Sequence, residues 1–411
     1  MALTYLTPDV YVEEIAGGPR PIEAVGTQTA GFVGQAPDAS ARVNEPIPCN
    51  NWSSFVRIFA QDGVRSTALS HAVYGYFLNG GPRCYVVNTP ETEPIAGGGR
   101  KREGLRVLEA IDEIAIVTAP GQTSPEVYEA LLSFCELRRD CVAILDGPDF
   151  ADISELTRVA TATSTKKKAA STSTPAPPAE EEGSPRGLRA RQSDYGSFYF
   201  PHLTVADPLP PNELVDVAPS GHIAGIWARN DALRGVHKAP ANEPVRGAVN
   251  LTYRVTREEQ AELNPAGVNV IRFFPNEGIK VWGARTLADS ASEWRYLNVR
   301  RLFNMIEESI EESTRWIVFE PNDRTLWRSI RRDIGAFLTR LWRDGALMGA
   351  TPQEAFFVQC DEETNPPDVI DAGMVVTRIG IAPVKPAEFI LFRISQHMAG
   401  AGLEMEGAVN A

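Results

Sequence analysis

A strand–helix–strand pattern in the first half of the chain limits the possible folds most strongly. Ile114–Thr118 and Cys141–Leu145 are short apolar runs, and between them Ser124 and Pro125 open a helical segment. Serine is a favoured helix N-cap, and proline fits the first helical position. Two buried strands joined by one helix pair in parallel with a right-handed crossover. The pattern therefore predicts an α/β fold built on a parallel sheet.

Neighbouring segments extend this fold. Residues 26–37 predict a strand followed by a loop, residues 62–88 predict a helix and then a buried strand, and residues 197–207 predict a further strand. The glycines and proline at 80–82 end the predicted helix. Together with the strand–helix–strand unit, these segments predict a mixed α/β class.

The stretch Pro219–Leu287 is dense in Gly, Asn, Arg and Pro, yet it lies between apolar elements. It predicts a short helix with Ser220 as its N-cap and Gly235 as its C-terminal stop. Val268–Phe274 and Ile279–Trp282 predict the two strands of a hairpin. Irregular segments of this kind carry catalytic groups in enzymes and subunit contacts in assemblies.

Charged residues in and around this irregular segment allow two interpretations. They can form an anion-binding site, or they can form ion pairs and hydrogen bonds that hold the loops rigid. Asp231 and Asp289 each lie near arginines and are candidates for a buried pair, whereas Trp282 and Trp327 are expected in the core. The residues of the possible anion site are Arg229, Asp231, Arg234, Lys238, Arg272 and Arg285.

Charge and composition exclude several classes of partner. The chain has 411 residues and a formal net charge of −13. This argues against nucleic acid or an anionic membrane as the main partner, because both need a basic surface. No run approaches the ~20 apolar residues of a membrane helix, and the first residues lack the regions of a signal peptide. We expect a protein that inserts into no membrane and that is made and kept in the cytoplasm or leaves it by a route such as lysis.

Catalytic and metal-binding motifs are missing from the sequence. The five cysteines form no Cys-x-x-Cys pair, and the five histidines form no i,i+4 pair. Scattered reduced cysteines and no zinc site are therefore expected. The loop Thr118–Gly121 follows a strand but lacks the glycine patterns of phosphate-binding loops. We expect no enzyme, no metal and no cofactor.

Residues 161–192 differ sharply in composition from their surroundings. They carry a lysine run, an acidic run and clustered Ser, Thr and Pro, with almost no large apolar side chains. Such a segment cannot bury enough apolar surface to offset the entropy of ordering it. We predict a disordered surface insertion.

The sequence pattern changes after Leu287. Residues 298–313 predict a helix with an acidic face, followed by a short strand. Residues 323–344 predict a longer helix with one apolar stripe and an arginine-rich outer face. Residues 355–360 and 374–383 then predict two strands.

Both ends of the chain predict strands that have no local hairpin partner. One is the segment 5–14, and the other is the segment 386–397, which two prolines isolate from the preceding strand. Because a single strand cannot satisfy its own backbone, each end must pair with a sheet elsewhere. A frayed N-terminus and an arm that adds a strand to another subunit both remain open.

Long ordered motifs in the chain resemble the contractile tail sheath family, which covers phage tail sheaths and the sheaths of contractile injection particles. The resemblance covers nearly the whole chain except residues 92–112 and 161–192. The motifs are PDVYVEE, GFVGQAP, FLNGGPRCYVVN, PSGHIAGIWARNDALRGVHKAPAN, LNPAGVNVIRFFPNEGIKVWGARTL, RRLFNMIEESIE, FEPND, DGALMGATPQEAFFVQCDEETN and IAPVKPAEFILFRI.

The resemblance implies a structural polymer. Family members stack as helical rings around an inner tube, and the sheath then shortens and drives the tube through a target envelope. The implied partners are further copies of the chain, the inner tube protein, and the baseplate and terminal cap proteins. The implied domains are an inner assembly domain from residues 1–25 with 288–411 and an outer α/β domain from 26–287 that carries the insertion.

The resemblance also implies roles for residues, here named by their positions in this chain. Strand exchange between subunits is expected of Tyr5, Pro8, Val10, Tyr11, Val12, Glu13, Glu14, Glu388, Phe389, Ile390, Leu391, Phe392, Arg393 and Ile394. Candidates for the tube-facing surface are Glu307, Glu308, Glu311, Glu312, Arg324, Arg328, Arg331 and Arg332. The structural signature loop comprises Arg229, Asp231, Arg234, Lys238, Asn242, Arg272, Trp282 and Arg285.

Two alternatives remain open on the sequence. The chain can be another self-assembling tail or coat protein, or an α/β enzyme with an anion-binding loop at residues 229–242.

Overall fold

The computed structural model describes residues 21–61, 64–90, 94–98, 102–160 and 187–391. The predicted N-terminal arm, from Tyr5 to Glu14, lies outside the described residues. So do Phe392, Arg393 and Ile394 of the predicted C-terminal arm. Within the described ranges, no helix is both long and apolar enough to cross a bilayer.

The first part of the chain alternates strands and helices, which confirms the predicted mixed α/β class. A 3-10 helix spans Gly104–Ala110. The elements are β1 (Ala30–Gly34), β2 (Ile47–Cys49), α1 (Trp52–Phe59), α2 (Ala68–Leu78), β3 (Cys84–Asn88), β4 (Ile116–Thr118), α3 (Pro125–Arg138), β5 (Val142–Asp146) and α4 (Ile153–Leu156).

The predicted strand–helix–strand unit is confirmed. Helix α3 begins at Pro125, and the hydroxyl of Ser124 accepts a hydrogen bond from the amide of Val127 at 3.3 Å. Strands β4 and β5 pair in parallel with Ile116 opposite Val142. The cap and the proline fix the start of the helix, and the apolar strands are buried on both faces.

The middle of the chain completes two sheets. Its elements are β6 (Gly196–Phe200), β7 (Leu203–Ala206), β8 (Leu214–Val217), α5 (Ser220–Arg234), β9 (Glu243–Pro244), β10 (Ala248–Leu251), α6 (Arg257–Leu263), β11 (Val268–Phe274) and β12 (Gly278–Val281). The described strands form a nine-stranded sheet in the order β2-β3-β1-β4-β5-β6-β11-β12-β9 and a three-stranded sheet in the order β10-β7-β8. The predicted strand over residues 197–207 is thus two strands, which lie in different sheets.

The predicted hairpin is confirmed. Strands β11 and β12 are antiparallel, with Ile271 opposite Val281. Asn276 and Gly278 in the connecting turn have φ angles of +69° and +79°. Asparagine and glycine adopt this left-handed conformation more readily than other residues, so the breaker residues fix the turn.

Helix α5 begins differently from the prediction. Pro219 occupies the N-cap position, and Ser220 is the first helical residue. Its hydroxyl donates to the buried carboxylate of Asp146 at 2.7 Å, and its amide donates to the same carboxylate at 2.8 Å. The predicted N-cap role of Ser220 is therefore wrong, because Asp146 at the end of β5 accepts the hydrogen bonds that begin the helix. The predicted stop at Gly235 is confirmed, with φ of +87°.

The last part of the chain is mainly helical. Its elements are α7 (Leu297–Thr314), α8 (Arg324–Arg343), α9 (Pro352–Ala355), β13 (Phe356–Gln359), α10 (Pro367–Asp371) and β14 (Arg378–Ile381). Strands β13 and β14 form an antiparallel two-stranded sheet. The predicted strand after α7 is wrong. Arg315–Ile317 is a 3-10 helix, and the chain turns at Phe319, where φ is +71°.

The last described residues also differ from the sequence prediction. Within 386–391, the part of the predicted C-terminal strand that the structure describes, no residue pairs in a sheet. Phe389, Ile390 and Leu391 are 81%, 74% and 77% exposed. A strand needs a neighbouring strand, and none of the described segments supplies one here.

Three apolar cores hold these elements together. The first two lie on opposite faces of the nine-stranded sheet, as the neighbours Phe32 and Val33 of β1 belong to different cores. The third core joins α7 and α8 to the sheet of β13 and β14. It also contains Ile22, and Val25 packs against it. The start of the described chain therefore packs with its end.

The predicted low-complexity insertion extends too far at its C-terminal end. Residues 161–186 lie outside the described residues, but residues 187–192 belong to the packed structure. The backbone of Arg189 pairs with that of Val159, and the guanidinium of Arg191 contacts Glu129 and Glu136 at 2.7 Å each. Arginine here has carboxylate partners from α3, which composition alone does not reveal.

Candidate functional site

A buried ion pair connects α5 to α7. The Arg301 guanidinium contacts both carboxylate oxygens of Asp231, at 2.6 and 3.1 Å, and its Nη2 donates to the backbone carbonyl of Thr27 at 3.0 Å. The Thr27 hydroxyl donates to Asp231 at 2.6 Å. The guanidinium also lies 4.7 Å from the ring centroid of Trp227. Three distant parts of the chain therefore meet at one satisfied charge pair.

Asp231 fulfils the prediction of a buried pair, but Asp289 does not. Asp289 is exposed, and its carboxylate accepts a hydrogen bond from the amide of Ala291 within its own turn. Sequence proximity to arginines does not decide which carboxylate is enclosed. The partner of Asp231 is Arg301, a residue outside the predicted signature loop.

Two other cations of the signature loop, Arg229 and Lys238, are engaged by carbonyl and carboxylate oxygens. Arg229 donates to the carbonyls of Asn79 at 3.0 Å and Pro244 at 2.7 Å. The Lys238 ammonium donates to the carboxylate of Glu243 at 2.8 Å. These donors brace the loop that follows α5, which supports the network interpretation over the anion site. Arg234 lies exposed at the end of the helix.

The remaining loop residues belong to the β11–β12 hairpin. Asn242 adopts φ of +59°, and its amide donates to the carbonyl of Val281 at 2.8 Å. Arg272 donates to Gln260 at 2.8 Å. Trp282 is 39% exposed and lies 4.5 Å, ring centroid to centroid, from Phe274. The expectation of a core position for Trp282 is wrong, because the tryptophan follows the hairpin edge. For Trp327, which is 5% exposed, the expectation of a core position is confirmed.

Arg285 connects the signature loop to the end of the described chain. Its Nε and Nη2 donate to the two carboxylate oxygens of Glu388 at 2.8 and 2.6 Å. Its Nη1 donates to the carbonyl of Asn264 at 3.2 Å. Glu388 raises the pKa of Arg285, so the guanidinium stays charged. The predicted strand-exchange segment therefore leaves the body of the protein at a bidentate ion pair.

The predicted acidic face of α7 is only partly solvent-exposed. Glu307, Glu311 and Glu312 are exposed. Glu308 is half-buried in a small cavity lined also by Asp140 and Arg301. Burial, and then the charge of Asp140, raises the pKa of Glu308 to about 7. Glu308 therefore faces the α3–β5 corner as well as solvent.

The predicted basic residues of α8 lie on its exposed side. Arg324 pairs with Glu362 at 2.7 Å, and Arg332 contacts Asp333 at 2.9 Å. Arg328 and Arg331 are exposed. The helix buries its apolar stripe in the third core, so these guanidiniums form a basic outer surface.

A buried histidine, His222, and its partly buried neighbour His71 lie outside the sequence predictions. His222 in α5 is 1% exposed, and neither of its ring nitrogens has a hydrogen-bond partner. Burial, and then the nearby His71, lowers the pKa of His222 to about 4, so the ring is neutral near pH 7. Across the described ranges, no group of three or more His, Cys, Asp or Glu side chains is placed to hold a metal ion.

The carboxyl edge of the parallel sheet is occupied by the protein's own groups. The amide of Gly121, in the loop after β4, donates to the Asp146 carboxylate at 3.0 Å. Ser220 donates to the same carboxylate. The amides that a phosphate would need are therefore used within the fold.

Sequence reasoning also missed the cationic residue beside Arg301. Arg300 is 4% exposed and lies 4.2 Å from the ring centroid of Trp294 and 4.8 Å from that of Tyr195. It pairs with Asp194 at 3.3 Å. Two adjacent arginines in a helix ordinarily indicate a solvent-exposed face, so their charge did not predict burial. The sequence signal that could have singled them out was the family motif RRLFNMIEESIE, which begins with these two residues.

Two family models match the chain. Residues 102–287 match the phage tail sheath protein central domain, and residues 289–397 match the phage tail sheath C-terminal domain. The two matches meet at the segment between β12 and α7.

Solved structures are similar over nearly the whole chain. The PVC sheath complex, from an extracellular contractile injection system in the contracted state, is 28% identical with a TM-score of 0.76, covering 96% of this chain and 99% of that chain. A chain of the anti-feeding prophage baseplate is 30% identical with a TM-score of 0.72, covering 96% and 100%. The contracted helical sheath of the anti-feeding prophage is 29% identical with a TM-score of 0.73, over the same shares.

A curated phage relative matches over a shorter stretch. The tail sheath protein of Vibrio phage KVP40 is 31% identical over 174 residues, which is 42% of this chain and 25% of the phage protein. The chain thus spans about a quarter of the length of that relative.

Proposed function

The chain belongs to the phage tail sheath family, and from that membership we propose that it polymerises helically around an inner tube and contracts to drive the tube through a target cell envelope. The observation that carries the proposal is the similarity, over 96% of the chain, to the sheath of a contractile injection system in its contracted state. The named curated relatives are tail sheath proteins, and none is named for a catalytic activity.

Electron microscopy of the purified protein tests the proposal. We expect hollow tubes of stacked rings at the diameter of a sheath. Monodisperse small particles at every protein and salt concentration would contradict it. Co-expression with the tube protein distinguishes a sheath from another self-assembling tail or coat protein, since only a sheath should assemble around the inner tube.

Strand exchange at the chain ends is the proposed means of assembly. In the described chain, β13 and β14 pair only with each other, so both outer edges of that sheet offer free backbone groups. The apolar residues 389–391 are exposed and unpaired. Adding a strand from another subunit to such an edge satisfies both sets of groups through main-chain hydrogen bonds. We expect removal of residues 1–14 to stop tube growth and leave a folded subunit.

The domain division follows from the same proposal. Residues 1–25 with 288–411 would form the inner assembly domain, and residues 26–287 the outer domain. The packing of Ile22 and Val25 with the third core supports it. Hydrogen exchange of the free subunit should give separate protection levels for the two parts.

The charged surfaces of α7 and α8 are the proposed contacts with the inner tube. Contacts that must break on contraction suit exposed ion pairs, each of which contributes only ~0–1 kcal/mol. Reversing the charges of Arg328 and Arg331 should prevent co-assembly with the tube protein and leave the fold intact. Unchanged co-assembly would show that another surface meets the tube.

Baseplate and cap proteins are further proposed partners, and assembly in the bacterial cytoplasm with release by lysis is the proposed route. The match to a chain of the anti-feeding prophage baseplate supports the first. Affinity purification of native particles from culture supernatant would test both the proposed partners and the proposed release by lysis.

A further inference from the structure

The connection between α7 and α8 carries an exposed apolar tip, formed by Val318 and Phe319. Phe319 is fully exposed, and Val318 is 64% exposed. The φ angle of Phe319 is +71°. A bulky residue rarely adopts this left-handed conformation, and backbone strain of this kind concentrates at functional sites. The tip therefore combines an unburied aromatic ring with a strained backbone that presents it.

Acidic side chains surround the tip in sequence. Glu311 and Glu312 lie in the last turn of α7, and Glu320 follows Phe319. All three are exposed. In the described part of the chain none of these carboxylates forms an ion pair. Arg315 is also exposed in this connection, so the tip is an apolar protrusion with three carboxylates and one guanidinium near it in sequence, which is a net negative charge.

A groove on α8 has the complementary character. It has a volume of about 470 Å³, and its lining includes Pro21, Ile22 and Ala336. Most of its accessible lining is apolar. Its rim carries Arg332, Arg340 and Arg343. Asp333 also lines the groove and pairs with Arg332, so the rim is net basic through Arg340 and Arg343.

One subunit cannot bring its own tip to its own groove. The tip precedes the start of α8 at Arg324, and Ala336 lies about 18 Å further along the helix, at a rise of about 1.5 Å per residue. The full exposure of Phe319 agrees with this separation. Because the chain carries both a protrusion and a matching recess at different places, their union joins two copies head to tail. A contact of this type produces a closed ring or, where the rotation between copies does not close, an open helical array.

We propose that the tip of one subunit inserts into the α8 groove of a second copy of the chain. Phe319 fills the apolar floor, and Glu320 beside it faces Arg340 and Arg343 of the rim. This contact rests on the proposed function as a polymer and specifies one interface within it. Burial of one aromatic anchor in a desolvated recess is typical of interface hot spots.

Cysteine cross-linking tests the contact directly. The native cysteines in the described chain are all buried, so a full chain with Val318→Cys and Ala336→Cys, which keeps the Phe319 ring, should form disulfides first between the introduced thiols. Oxidation of the assembled double variant with a small-molecule disulfide should give a ladder of covalent oligomers on a non-reducing gel. Each single variant should give no species beyond a dimer. Tubes without a ladder, or a bridge formed only within one chain, would overturn the proposal.

The polymer fraction formed by substituted chains supplies an independent measurement. Phe319→Ser should lower the polymer fraction at fixed protein concentration about tenfold or more, whereas Phe150→Ser, an exposed phenylalanine in the α/β part, should leave it unchanged. Glu320→Arg and Arg343→Glu should each reduce assembly, and the two together should restore it. Normal assembly of Phe319→Ser would refute this interface while leaving the sheath function intact. Absence of tubes from the unmodified protein would refute the sheath function itself.

Discussion

The carboxylate of Glu388 accepts hydrogen bonds from two nitrogens of Arg285, a residue 103 positions earlier in the chain. This bidentate pair fixes the point at which the C-terminal segment leaves the protein. The side chain of Arg285 is 10% exposed and that of Glu388 is 20% exposed, so solvent screens the pair only weakly.

Glu388→Gln should therefore lower the free energy of unfolding. The substitution leaves a nearly buried guanidinium without its counter-charge, at an expected cost of about 1–3 kcal/mol. Urea denaturation at pH 7 measures the change. Glu362→Gln is the matched control, because Glu362 pairs with an arginine at the exposed surface, and it should change stability by less than about 1 kcal/mol. Equal effects of the two substitutions would contradict the special position of Glu388.

Asp231→Asn should destabilise the fold more strongly. Arg301 would remain buried without its charge partner, and breaking a buried pair in this way costs about 3–5 kcal/mol. Asp289→Asn is the control at an exposed aspartate and should have almost no effect. Chemical denaturation measures the free energy of unfolding of both variants. A small effect of Asp231→Asn would show that the Asp231–Arg301 pair is not needed for stability.

The pH dependence of stability should report the neutral state of His222. Its folded-state pKa of about 4 lies below the usual value of 6.5, so the unfolded chain binds the proton more readily. Stability is full above pH 6.5 and falls as the pH drops towards 4, by up to about 3 kcal/mol. His222→Gln should flatten this part of the profile, measured by denaturant titration at each pH. A profile as steep as that of the unmodified protein would assign the proton to another group.

Glu308 should give the opposite pH dependence. Its folded-state pKa of about 7 lies above the usual value of 4.5, so its contribution is complete below pH 4.5 and is lost as the pH rises through 7. Because the side chain is only half-buried, we expect an effect of about 1 kcal/mol after solvent screening. Glu308→Gln should stabilise the protein at pH 8 and have little effect at pH 5. Glu311→Gln, at an exposed site of the same helix, should do neither.

Two glycines make a paired test of helix packing. A Cβ at Gly221 of α5 would lie 2.2 Å from the backbone of Ala72 in α2, whereas a Cβ at Gly335 of α8 would meet nothing within 4 Å. Gly221→Ala should destabilise the protein by about 1–3 kcal/mol, because the two helices must separate. Gly335→Ala should stabilise it by about 0.5–1 kcal/mol through helix propensity. Thermal unfolding measures the sign of both stability changes. A Gly221→Ala variant more stable than the unmodified protein would contradict the close approach of α5 to α2.

The sequence predicted those elements whose signals are local. Helix α3 carries its own cap and proline, and the β11–β12 hairpin carries its own turn residues, so both were predicted near their observed bounds. The start of α5 depends on Asp146, which lies 74 positions away from Ser220, and no local rule contains that partner. The predicted strand after α7 failed because apolar residues there turn outwards at Phe319.

In the candidate site, too, local sequence indicated some residues, while contacts between distant parts of the chain determined the rest. The loop cations were identified from their density in one stretch, but their partners were not. Arg301 pairs with Asp231 across 70 positions of sequence, and its side chain is enclosed by Asp231 and Trp227 of α5. Long-range pairing of this kind is fixed by tertiary structure and leaves no periodic trace in the sequence.

The backbone pairing around Val159 and Arg189 has a practical consequence. The amide of Ala160 donates to the carbonyl of Arg189 at 2.7 Å, and the amide of Arg189 donates to the carbonyl of Arg158 at 3.0 Å. The chain thus exits and re-enters the described structure at neighbouring points, and the body places no demand on the length of what joins them. A fluorescent protein or an affinity peptide spliced between these points should leave the subunit foldable. If the splice faces outwards in the polymer, every subunit would become an optical reporter of assembly in a living cell.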